Sequence, residues 1–147
     1  MQERQPAEAV AAAGLGAMYY VIGHNRSDLW GATREAFALK AAAADIGDGP
    51  ATDLLREAAA GVVERQTGAA GVNLRDKDAL RAVGLEQVGG VLPVLGQLPA
   101  EAAEQVRQWI LRIAAGVAEA SHDVGETEEI SGAEQRALEA IRAVLAA

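Results

Sequence analysis

PAEAAEQVRQWILRIAAGVAEAS, Pro99 to Ser121, is the stretch that decides the fold. Val106, Trp109, Ile110, Ile113, Ala114, Val117 and Ala120 recur in steps of three and four, while Arg107, Gln108, Arg112 and Glu119 fall opposite. That spacing places the apolar side chains on one face of a helix. A half-buried strand needs apolar and polar residues to alternate, and no segment of the chain sustains that pattern. Pro99 suits a first helical position, where the missing N–H is no loss, and Glu101 complements the positive end of the helix dipole. The stretch therefore predicts a central amphipathic helix.

Composition extends that reading to the whole chain. Half of the 147 residues are apolar, yet only two Trp, two Tyr and one Phe are aromatic. Ala-rich sequence favours helices, whereas strands draw on β-branched and aromatic side chains. The length suits one domain spanning residues 1–147. A net charge of −8 with singly scattered basic residues repels polyanions and argues against nucleic acid. With no cysteine, disulfides, thiolate metal sites and a Cys nucleophile are excluded, and a reducing cytoplasm is the expected compartment.

Periodicity outlines an all-α, bundle-like array of about six helices. The first spans about Pro6 to Ile22, with Gly23 placed to end it in a left-handed cap. Its apolar core, Ala9 to Gly23, is shorter than the roughly 20 residues a membrane span needs. Met1 to Glu8 also lacks the net positive charge of a secretory leader. A buried helix is predicted, with membrane-surface association as the lesser alternative.

The second helix is predicted from Asp28 to about Asp45, capped by Ser27, with Trp30, Thr33, Phe37, Ala41 and Ala44 facing the core. The turn GDGP, Gly47 to Pro50, leads to a third, with Thr52 as cap and Leu55, Ala58, Ala59, Val62 and Val63 inward, ending near Thr67. Asp76 caps a fourth carrying Leu80, Val83, Val88, Val91 and Leu95. Gly89, Gly90 and Pro93 predict a kink or break in it near Gly89. After the Pro99 helix, Ser131 and Glu134 form a capping box that opens the last helix, with Leu138, Ile141 and Leu145 on its apolar side.

The segment SHDVGETEEISGAEQRAL, Ser121 to Leu138, gathers several oxygen ligands. Counted from Asp123 it carries Ser131 and Glu134 at positions 9 and 12 of a calcium loop, but Gly125, Thr127 and Glu128 stand where acids and the turn glycine belong. The acids are better explained as helix N-terminal charges and Glu134 as a capping partner, which need no ion. What a cap does not explain is Asp123 and Glu126. A weak internal repeat, Ala43–Leu55 against Ala120–Leu138, sets Asp45 and Asp48 in an equivalent elbow. A hard cation, Ca²⁺ or Mg²⁺, is the ligand those oxygens would take.

Catalytic machinery is not identifiable. Ser27, Ser121 and Ser131 are the serines, two of them expected caps, and Ser121 beside His122 makes no triad. His24 and His122 each follow an apolar helix, where structural roles at helix ends suffice. The glycine-rich pieces lack the strand and the Lys of a phosphate loop. Protein contact is then the leading class, with a protein partner or a second copy as the partner. Tyr19, Tyr20 and Trp30 are the candidate contact residues, being large amphipathic side chains near the first turn.

VRQWILRIAAGVAEAS (Val106–Ser121) followed by VGETEEISGAEQRALEAIRAVL (Val124–Leu145) resembles the C-terminal end of an uncharacterised family of small all-helical bacterial proteins. SDLWGATREAFALKAAAA (Ser27–Ala44) resembles its second helix, although HDVGETEE (His122–Glu129) replaces that family's glycine- and aromatic-rich turn. In layout, the helical hairpins with acidic elbows also resemble TerB-like tellurite-resistance domains. That resemblance implies a stress-related role and divalent-cation binding at matching acidic positions, Asp45, Asp48, Asp123, Glu126 and Glu134.

Overall fold

The helix Pro6–Gly23 (α1) is buried on all its faces. From Ala9 to Gly23 each residue except Tyr20 is shielded from solvent. Pro6 at the start and Glu8 in the first turn favour its initiation. A helix that is apolar all round is stable only when other helices surround it. The computed structural model describes residues 6–23, 38–67, 76–120 and 132–146, and it supplies that surround.

The helical residues 38–44 (α2) lead through a turn to α3 (Thr52–Thr67). Then come α4 (Lys77–Gly89), α5 (Leu92–Gln97), α6 (Ala100–Ala120) and α7 (Gly132–Leu145). The protein is all-α, with no strand among the described residues. α1 packs against α3, α4 and α6, and touches α5 and α7. The buried side chains of all these helices form one cluster. No described helix is long and apolar enough to cross a membrane.

The tightest of these packings is glycine against glycine. A Cβ on Gly84 of α4 would lie 2.6 Å from the Gly16 carbonyl oxygen and 2.6 Å from the Tyr20 backbone nitrogen of α1. Backbone cannot yield as a side chain can, so only glycine allows α1 and α4 to approach this closely. Gly23 serves the same junction and is not the left-handed cap expected of it. It is the last helical residue, and a Cβ there would stand 2.6 Å from the Arg81 Cγ. Among the described residues only Gly47, in the α2–α3 turn, has positive φ, at 65°.

The C-terminal end of α1 is finished from outside. Lys77 Nζ donates to the Ile22 carbonyl at 3.2 Å and Arg81 Nη1 to the Gly23 carbonyl at 2.9 Å. α1 has no basic residue in its last turn, so α4 supplies the cations that its unpaired carbonyls and negative dipole end attract. The device recurs. Arg107 Nε of α6 donates to the Leu145 carbonyl at the end of α7, and Arg112 Nη1 to the Asp45 carbonyl just beyond α2. Four scattered basic residues thus cap three helix ends from neighbouring helices.

α6 is the amphipathic helix predicted. Val106, Trp109, Ile110, Ile113, Ala114 and Val117 are buried, with Trp109 only 1% exposed. Trp109 Nε1 donates to the Ala43 carbonyl at 3.0 Å, which satisfies the indole inside the core. Pro99 sits one place before the position expected, and its carbonyl accepts from Ala103 at the helix start. The predicted break in the fourth helix occurs at Gly90 and Val91, and Pro93 falls in the opening turn of α5, where its missing donor is harmless.

Two expected apolar stripes shift. Val83 points outward, 37% exposed, while Gly84 beside it faces α1. In α2, Ala41 and Ala44 are exposed, and Leu39 and Ala43 are the buried pair. An alanine run offers several nearly equal faces, and the larger apolar area of Leu39 selects between them. Ser27, Trp30, Thr33, Phe37 and the Ser131 cap lie outside the described residues. So does the Glu134 side chain, although Glu134 is on α7.

Candidate functional site

The described elbow, Asp45 to Thr52, is organised by hydrogen bonds. The Thr52 hydroxyl accepts from the Gly49 N–H at 2.9 Å and donates to the Gly47 carbonyl at 3.1 Å. Thr52 is therefore the first residue of α3 and closes the preceding turn, where an N-cap had been expected. Gln105 of α6 clamps the elbow from below. Its Oε1 accepts from the Ala51 N–H at 2.7 Å and its Nε2 donates to the Thr52 hydroxyl at 3.3 Å.

Asp45 and Asp48 are exposed. The Arg112 guanidinium stands 2.7 Å from the Asp45 carbonyl and 3.9 Å from its carboxylate, so the positive charge beside Asp45 is provided by the protein itself. No group of three or more His, Cys, Asp or Glu suited to a metal ion occurs among the described residues. Asp123 and Glu126, with His24 and His122, lie outside them, as does the Glu134 side chain.

Of the aromatic candidates, Tyr19 is 3% exposed and belongs to the core. Burial raises its hydroxyl pKa above the ordinary 10.0, because the phenolate would lose its hydration. Tyr20 is half-buried and packs against the same core, with its backbone at the Gly84 contact. The α1 step of 100° turns the two rings to different sides, Tyr19 into the core and Tyr20 to a partly buried place against it. Tyr19 therefore offers a partner no area.

A surface feature not foreseen from the aromatic residues lies between the start of α1 and the middle of α3. It is a trough of about 670 Å³, open to solvent, lined by Ala60 and Gly61 with the fully buried Ala11 beneath and by Glu8, Glu57 and Glu64. Glu57, Ala60, Gly61 and Glu64 step by three, one and three, so they form one stripe along α3. The buried stripe of the same helix, Leu55, Ala58 and Val62, holds it to the core. The trough exists because α3 and α1 meet through small residues: a Cβ on Gly61 would lie 3.1 Å from the Ala11 Cβ. A mid-helix glycine flanked by acids two turns apart was the sequence signal for it.

Carboxylates beside alanine and glycine can attract cations and exclude anions, and the lining residues include no Ser, Cys, His, Lys or Tyr. Compared with known protein families, with curated proteins and with solved structures, the chain matches none.

Proposed function

We propose that this chain acts without catalysis, as a helical interaction module that receives a protein partner in the trough between α1 and α3. The observation that carries the reading is the trough's own construction. Its lining combines the small apolar Ala60 and Gly61 with the charged Glu8, Glu57 and Glu64. Interfaces are built on this plan, with an apolar centre inside a polar rim. The rest of the apolar side chains support the reading by their placement: Val83 is the only large one exposed among the described residues.

The test is a photo-crosslinking amino acid introduced at the exposed Ala60, with the same group at Val83 as the control position. In the host cell, Ala60 is expected to give a discrete adduct that mass spectrometry identifies and that Glu57→Lys abolishes. An identified second copy of this chain would be the homo-oligomeric form of the same reading. No adduct at Ala60, or the same adducts as at Val83, would overturn it.

A further inference from the structure

We propose that Asp48–Gly49 is a site of isoaspartate formation and that the Thr52 hydroxyl holds the reaction in check. Both residues are exposed in the turn between α2 and α3. Gly49 is not required for its backbone angle, since Gly47 alone has positive φ among the described residues. It is required by Gln105. A Cβ on Gly49 would lie 2.8 Å from the Gln105 Cδ, and that amide cannot swing aside without losing its bonds to Ala51 and Thr52. The packing thus places glycine directly after an aspartate. In that pair no side chain hinders the main-chain nitrogen from reaching the carboxyl carbon before it.

The step is intramolecular and balanced by water alone. The Gly49 nitrogen attacks Cγ of the protonated Asp48 carboxyl and forms an N–C bond. The N–H proton and the carboxyl OH leave together as water, and a cyclic succinimide remains. Water then adds back to one of the two ring carbonyls. Addition at Cγ breaks the new bond and restores aspartate. Addition at the main-chain carbonyl breaks the original peptide bond instead, so that the chain now runs through Cβ and Cγ. The mass is unchanged, and the main chain between α2 and α3 is longer by a methylene.

Ring closure begins only when the nitrogen gives up its proton, and the elbow guards that proton. The Gly49 N–H donates to the Thr52 hydroxyl at 2.9 Å. The hydroxyl is itself fixed, donating to the Gly47 carbonyl at 3.1 Å and accepting from Gln105 Nε2 at 3.3 Å. With its donor and both acceptor positions in use, it has no freedom to rotate away. An amide proton held in this way is released when the turn opens locally. Thr52 therefore closes the turn geometrically and also protects the covalent chain.

The experiment ages the full chain in warm neutral buffer and reads the tryptic peptide spanning residues 41–56 by chromatography and electron-transfer fragmentation, which places isoaspartate at residue 48. The folded parent is expected to isomerise slowly and the parent in urea fast. Thr52→Val, which loses the hydroxyl and keeps the branched shape, should isomerise about tenfold faster than the parent, the effect of one lost hydrogen bond. Thr52→Ser should return to the parental rate. Gln105→Ala leaves the bond from Gly49 to Thr52 in place and should stay close to the parent. A far-UV spectrum checks that each variant is folded, and the comparison of folded with unfolded parent needs no variant at all. Absence of isoaspartate in urea, equal rates for folded and unfolded parent, no acceleration in folded Thr52→Val, or an equal acceleration in Gln105→Ala would each overturn the proposal.

Discussion

The Arg81 guanidinium donates to the Gly23 carbonyl at 2.9 Å, so the most buried helix of the protein is terminated by a charge belonging to its neighbour. The same guanidinium pairs with Asp78 one turn back on α4, which orients it without burying it. A cation at a partly buried helix C-terminus contributes up to about 2 kcal/mol, and an exposed pair on its own much less. Arg81→Met is therefore expected to lower stability by about 1–2 kcal/mol, and Asp78→Ala by under about 0.5 kcal/mol. Urea midpoints at constant slope check both. Equal losses would assign the effect to the exposed ion pair.

The α1–α4 contact separates two glycines that look alike in sequence. Gly84→Ala drives a methyl group into the Gly16 carbonyl and the Tyr20 backbone, and is expected to destabilise by about 2–3 kcal/mol or more. Gly96, exposed on α5, has nothing within 4 Å of a Cβ. Gly96→Ala should stabilise by about 0.5–1 kcal/mol through the entropy of the unfolded chain. Thermal unfolding of the two variants side by side is the measurement, and changes of the same sign would contradict the packing.

The elbow gives a contrast between hydrogen bonds and ions. Gln105→Ala removes the acceptor of the Ala51 N–H and a donor to Thr52, with an expected loss of about 1–2 kcal/mol. An ion bound only by the folded state would raise stability with its concentration. With hydrogen bonds as the organiser of residues 45–52, millimolar Ca²⁺ is expected to leave the midpoints of the parent and of Gln105→Ala unchanged. A saturable rise would instead assign a cation to the acidic elbows.

Tyr19 sets a pH dependence at the alkaline end. Its folded pKa is raised above the unfolded value near 10. Its contribution is thus full below about pH 10 and is lost as pH climbs from there through the folded value. Tyr19→Phe keeps the ring in the core and removes the titration. Stability measured between about pH 8 and pH 11 should fall more steeply for the parent than for Tyr19→Phe. Parallel curves would mean that the hydroxyl ionises as freely in the folded state as in the unfolded one.

What sequence could disclose here followed the strength of its periodic signals. The α6 stripe is carried by Trp109, Ile110 and Ile113, whose size leaves one acceptable face, and each is buried as its spacing requires. Asp76 also caps α4 as its position suggests, accepting from the Ala79 N–H at 3.0 Å. The α2 face was misplaced because alanines differ too little in area to fix a register. Val83 was assigned inward and Gly84 counted only as weakening the helix, since hydropathy counts a missing side chain as nothing, whereas close packing can demand it. The roles of Arg81, Arg107 and Arg112 depend on which helix end arrives beside them, which is a tertiary fact. The trough was hidden for the same reason: its two walls are about 50 residues apart in the chain, from Glu8 to Glu57.

The burial of α1 on all sides has a temporal side. α1 precedes in the chain each of the helices that cover it, and α7, the last of them, ends at Leu145, 122 residues after Gly23 (145 − 23). At roughly 5–20 residues per second of synthesis, about 6–24 s separate the emergence of this all-apolar helix from that of its last residues of cover. During that interval it has no polar face to turn to water. A small helical protein of this design must therefore close long loops before its core exists, which makes it a slower folder than its secondary structure suggests.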